Sequence, residues 1–278
     1  MRRRTGKYYI GASSTYIILL LFTIWTIVPI FIVITNSFKT EMDIFTLPFK
    51  LFFSPTLDNY TRAFTTGEFD RFFLNSLIVA FSSSLLSVGL GVLAAYGFTN
   101  FRLKFGRMFN VVLVVGKSVP AITILLPLFV ILSKFHLLGT FFGPIITHTS
   151  INLPFVIWLL IGFINDIPSD LVTAAQIDGC SKMQAFWFII LPILTPAISS
   201  AVILSLQYSW NEFLFSLMLT NINTYTLPAG ISKFVGSISV DWGKSSAAAT
   251  VTMVPIIIAG FFAQKYLVRG MTLGAVKG

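Results

Sequence analysis

The chain has 278 residues, 55% of them hydrophobic and only 10% charged, with a formal net charge of +9. Soluble domains carry about a quarter charged residues, so this balance and a mean hydropathy of +0.86 exclude a soluble enzyme and point to an integral membrane protein. The lone Cys180 excludes an internal disulfide framework, and the basic excess reports membrane orientation before it reports nucleic-acid binding.

Six stretches have the roughly 20 apolar residues that a membrane-crossing helix needs: about 14–36, 72–97, 108–133, 143–164, 195–220 and 246–267. The first apolar run, Tyr16 to Thr35, is 20 residues long and has no small-residue cleavage site after it. It therefore reads as an uncleaved span rather than a signal peptide. With the amino terminus inside, the inner segments hold 11 Lys and Arg and the outer segments 7, four of which fall in the long loop 37–71. Both termini are then expected in the cytoplasm.

In the second span Ser83, Ser87, Gly91 and Ala95 recur every four residues on one helix face. Small residues let helix backbones approach closely, here for packing within the chain or at a dimer face, the former being favoured. Pro29, Pro120, Pro127, Pro154, Pro196 and Pro255 fall inside spans and are expected to kink them.

Two charges lie within spans, Lys117 and Glu212. Each costs about 2.5–3.5 kcal/mol on insertion scales, so such residues face a bundle interior or a water-filled cavity. Glu212 stands in "LQYSWNEFLFSLML" beside Gln207, Tyr208, Trp210 and Asn211. Aromatic faces and amides in that cluster suit a polyhydroxylated ligand, and an interhelical polar cluster or an interfacial belt suits them equally. Lys117 has two readings, snorkelling or pairing with a carboxylate such as Glu212.

No catalytic or metal pattern emerges. His136 and His148 lack ligand spacing and are expected near the outer surface in a satisfied or interfacial role. "GSISVDWGKSS" ends like a phosphate-binding loop, but position 238 is Ile where that motif needs Gly. The chain itself is expected to be no enzyme, with no metal, no bound cofactor and no nucleic acid.

Between the fourth and fifth spans runs "DLVTAAQIDGCSKMQAFWFIILPIL". Pro168, Ser169 and Asp170 are suited to start and cap a helix. Gly179 ends it in a left-handed turn. Ser181 and Gln184 have capping-box spacing for a second helix, which Pro192 is expected to break. A helix lying on lipid favours a Lys/Arg-rich polar face. This one has Lys182 against Asp166, Asp170 and Asp178, which favours docking to a cytoplasmic protein.

Ala174-Ala175, Asp178-Gly179 and Leu191-Pro192 resemble the EAA loop of ABC importer permeases. "IPSDLVTAAQIDG", "FWFIILPILTPAI", "SWNEFLF", "TLPAGI" and "YLVRGMTLGAVKG" extend the likeness to the carbohydrate-uptake, MalG-like branch, from about residue 70 to the end. Asn59-Tyr60 and "FLNSLIVA" also fit that branch.

The resemblance implies an all-α, six-helix, MetI-like type I importer domain in a bacterial or archaeal inner membrane. It divides into a first helix with a long external loop (1–71), a permease core (72–267) with its coupling loop at about 165–192, and a tail (268–278). It implies half of a heterodimeric pore for a sugar, working by alternating access. The partners implied are a MalF-like permease, two ATPase subunits that bind ATP and Mg, an external solute-binding protein and membrane lipids.

Thr173, Ala174, Ala175, Asp178 and Gly179 match the coupling site, with Thr173 standing where the family carries Glu. Gln207, Tyr208, Trp210, Asn211, Glu212 and Lys117 are the candidate pathway residues. The alternatives are the same machinery for a polyol, glycerol phosphate or charged sugar, and a self-contained ion-coupled transporter.

Overall fold

The computed structural model describes residues 6–100, 111, 115–116, 118–234 and 240–273, with side chains between 14 and 261. Lys117 and the tail 274–278 lie outside the described residues. The chain divides into two compact units, one of residues 1–68 and 234–251, the other of 69–233 and 252–278.

In the first unit, α1 (Gly6–Ser37) contains the apolar stretch Ser14–Ser37. Its side chains from Tyr16 to Ile30 are largely exposed. A helix apolar all round suits lipid rather than water. The short helix α2 (Glu41–Ile44) and α3 (Asp58–Thr65) follow.

The side-chain amide of Asn59 donates to the carbonyls of Ser37 (3.1 Å) and Lys39 (2.7 Å), capping the end of α1. Tyr60 meets Ser37 through their hydroxyls at 2.8 Å. Arg62 pairs with Asp58 and Asp241 and donates to the Asn59 carbonyl oxygen.

The motif that mimics a phosphate loop proves to be structural here. Asp241 accepts from the Lys244 amide at 2.9 Å, near the start of α12 (Trp242–Leu273). Gly243 lies so close to Asn59 that a Cβ would stand 2.3 Å from its Oδ1.

The second unit is a helical bundle. Its elements are α4 (Phe69–Asn100), α5 (Ala121–Lys134), α6 (Phe142–Asn165), α7 (Ser169–Ile177), α8 (Lys182–Ile193), α9 (Thr195–Asn211), α10 (Leu214–Leu219), α11 (Leu227–Ile231) and the later part of α12. Helices α4, α6 and α9 pack on one another. Their core includes Val92, Ala95, Val156, Leu160 and Ala201, and α8 adds Phe186 and Ile190.

The small-residue stripe of α4 serves this packing. Gly91 lies against Val156 of α6, and Ser83 donates to Ser209 of α9 at 3.0 Å.

Among the described residues, four helices are long and apolar enough to cross a membrane. The α8–α9 pair makes a fifth if its 70° bend is counted within one span. Of the expected span 108–133, the described part holds the 14-residue α5, and Pro120 stands immediately before it.

The expected fifth span, 195–220, is divided at Glu212-Phe213 into α9 and α10. Pro192 does not end α8. A π turn over Phe186–Ile190 precedes it, the helix runs on to Ile193, and the bend comes at Leu194. Ser169 and Asp170 do not cap α7 either, because the helix starts at Ser169 behind Pro168 without a side-chain cap.

Candidate functional site

The turn between α7 and α8 forms by local rules. The Cys180 amide donates to Ala175 O (2.9 Å) and the Gly179 amide to Gln176 O (3.1 Å). This pair of bonds closes a Schellman turn. Gly179 stands at φ +92°, in the left-handed region that costs residues with a Cβ. Ser181 and Gln184 complete the expected capping box, at 2.8 and 3.2 Å.

Thr173, Ala174, Asp178 and Gly179 are all exposed, and Ile177 is 80% exposed, whereas Ala175 is buried. Thr173 Oγ donates to Ser169 O at 3.1 Å, which holds its hydroxyl against its own helix. The turn is anchored to α4. Tyr96 Oη donates to Lys182 O at 2.8 Å, and the Tyr96 ring lies 4.6 Å from that of Phe186. The arrangement is an exposed protrusion on a buried aromatic foot.

A second site forms around the break after α9. Glu212 has extended backbone (φ −71°, ψ 123°), so its carboxylate turns back to cap α10. It accepts from the amides of Phe215 (2.8 Å) and Ser216 (2.9 Å) and from the Ser216 hydroxyl (3.0 Å).

His148 of α6 supplies the remaining contact, its Nε2 lying 3.1 Å from Glu212 Oε2 and its Nδ1 2.7 Å from Ser209 Oγ. Ser83 donates to Ser209, so the Ser209 proton serves Nδ1 and Nε2–H serves the carboxylate. Of the two roles expected for His148, satisfied or interfacial, the structure shows the first: the ring is completely buried and bonded at both nitrogens.

Beside this network opens a cleft of about 450 Å³ lined by Asn152, Phe155, Leu204, Gln207, Tyr208, Asn211 and Glu212. Four of the six sequence-predicted pathway residues meet there. Trp210 does not join them. Its ring is buried, edge-on to Phe73, and lines an apolar groove with Leu77 and Pro255. Lys117 lies outside the described residues.

Sequence reasoning missed Asn152, Phe155 and the part played by His148. The spacing of His148 and Asn152, one helical turn apart in an apolar stretch, carried the signal.

Residues 87–273 match the family described as "Binding-protein-dependent transport system inner membrane component". The chain is 33% identical over 273 residues to the probable ABC transporter permease protein YurM of Bacillus subtilis, covering 98% of this chain and 91% of that protein. It is 34% identical over 274 residues to the trehalose/maltose transport system permease protein MalG of Thermococcus litoralis, covering 97% and 95%.

Its fold is that of a chain in a bacterial ABC transporter involved in the import of the acidic polysaccharide alginate. The TM-score is 0.81 at 19% identity, covering 96% of this chain and 99% of that one. The chain therefore belongs to the binding-protein-dependent transport system inner membrane component family, the permease components of ABC importers.

Proposed function

We propose that this permease is one of two unlike transmembrane subunits of an ATP-driven sugar importer, with oligosaccharides as cargo. It works with a MalF-like permease, two cytoplasmic ATPase subunits carrying ATP and Mg, and an external solute-binding protein. Both termini face the cytoplasm. Residues 173–179 dock in a cleft of an ATPase subunit, and closure of the ATPase pair on nucleotide moves the α7–α8 protrusion. The Tyr96–Phe186 foot carries that motion into α4. The cleft beside Glu212 lines this subunit's half of the sugar path.

The observation that carries the proposal is the exposed turn at Gly179 in a chain of this family. An exposed helix–turn–helix with an apolar tip at Ile177 suits a surface that another protein covers. The test is Gly179→Val in the assembled transporter. A β-branched residue at φ +92° forces the turn to rearrange. Expected is a complex that reaches the membrane and hydrolyses ATP while sugar uptake falls at least tenfold. Uptake coupled to hydrolysis at the wild-type ratio would sink the coupling role, and purification without any ATPase subunit would sink the importer reading.

A further inference from the structure

We propose that the cleft beside Glu212 selects neutral glycans and rejects acidic ones. This rests on reading that cleft as part of the transport path.

The lining divides by chemistry. Asn152, Gln207 and Asn211 bring three primary amides, Tyr208 and Phe155 bring two rings, and Glu212 brings the one charge. Among the described residues no Lys or Arg lines the cleft. An amide both donates and accepts, as a sugar hydroxyl does, so each can pair with a hydroxyl in either sense. The electron-rich face of an aromatic ring suits the C–H face of a pyranose. The volume falls within the range of about 300–1,000 Å³ typical of small-ligand sites.

Asn152 supplies an independent observation. It is only 3% exposed, lines the cleft, and makes no side-chain hydrogen bond to any described residue. Its amide is not among the fully buried polar groups that lack a partner, so it opens onto the cleft, where a ligand hydroxyl can replace water. Its neighbours Gln207 and Asn211 extend the same chemistry along α9.

A carboxylate or sulfonate entering here would meet no cation among the described lining residues. It would also meet Glu212, whose charge is held by hydrogen bonds from His148, Ser216 and two backbone amides. Two like charges in a low-dielectric cleft repel strongly, and an unpaired buried anion is heavily penalised. A neutral sugar meets neither penalty.

The test uses the purified transporter complex in nanodiscs without its external binding protein, so that recognition by that protein plays no part. Saturation-transfer NMR is recorded with maltotriose, cellotriose and triacetylchitotriose as neutral probes and with trigalacturonate as the acidic one. Expected is transfer to at least one neutral trisaccharide, reduced at least fivefold by Asn152→Leu, with none to trigalacturonate. Asn211→Lys, a change at an exposed side chain that spares the core, should bring trigalacturonate in.

Transfer to trigalacturonate matching the neutral probes, and still lowered by Asn152→Leu, overturns the charge selection while leaving the path in place. Transfer to no trisaccharide, or transfer indifferent to Asn152→Leu and Asn211→Lys, overturns the path itself.

Discussion

The imidazole of His148 on α6 hydrogen-bonds the carboxylate of Glu212 at 3.1 Å, and that carboxylate caps α10 where the fifth apolar stretch breaks. The pair thus fixes a helix break to a neighbouring helix. His148→Leu removes one partner and leaves a buried carboxylate short of a donor. Its expected cost is about 1.5–3 kcal/mol, the range for a hydrogen bond to a charged group. Glu212→Gln keeps an oxygen for only one of the two α10 amides and turns an NH2 group toward the other, so it should cost more. Thermal unfolding of the purified complex ranks the two, and the reverse order would mean that the carboxylate is not what caps α10.

Gly91 lies where α4 and α6 are closest. A Cβ there would stand 2.5 Å from Val156 Cγ1, and Val156 is fully buried. Gly91→Ala is expected to destabilise by about 1–3 kcal/mol through overpacking. Val156→Ala in the same chain should recover part of that loss, because it removes the clashing methyl. Losses that simply add would show that the contact is not the cause.

Asp241 does two jobs in the first unit: it pairs with Arg62 at 2.9 Å and accepts from the Lys244 amide at 2.9 Å. Asp241→Ala should cost about 0.5–2 kcal/mol for the lost cap, with up to about 1 kcal/mol more for the half-exposed ion pair. Asp58→Ala removes only a solvent-facing partner of Arg62 and should have little effect. Hydrogen exchange over residues 58–65 reads both variants, and equal protection in the two would count against the cap.

Lys39 is 1% exposed, with Nζ 3.6 Å from the centre of the Phe49 ring and no hydrogen-bond partner among the described residues. Burial holds its pKa below the ordinary lysine value, with the nearby Asp43 opposing that shift. Between the lowered folded pKa and the unfolded value, the unfolded chain binds more protons, so stability rises with pH across that window. Lys39→Met removes the burial penalty and gives up the ring contact. It should raise the unfolding temperature at pH 7, by a margin that shrinks as the pH approaches 10. A margin that grows with pH would show that the charged form is the favoured one in the fold.

The α7–α8 turn was legible because every rule that builds it is local. Gly179 receives its left-handed turn from bonds spanning five residues, and Ser181 finds Gln184 three residues on. The errors there were also local in kind. A proline, Pro192, was read as a stop, yet the helix runs through it to Ile193, and the bend comes at Leu194.

The cleft was half legible. Gln207, Tyr208, Asn211 and Glu212 stand on two successive turns of one segment, so sequence spacing alone grouped them. Trp210 belonged to the same string of letters but points to another groove, because helical geometry sends neighbouring residues to different faces.

Composition and periodicity by themselves determined that this is a helical membrane protein with a capped turn between two of its spans, since hydropathy and capping depend on neighbours along the chain. Tertiary structure alone decided that Glu212 would break a span. It also decided that His148 would hold the carboxylate from 64 residues away, and that Asn152 would line the cleft. Those outcomes depend on which helix faces meet, and the packing of α4, α6 and α9 settles that at a range no sequence window spans.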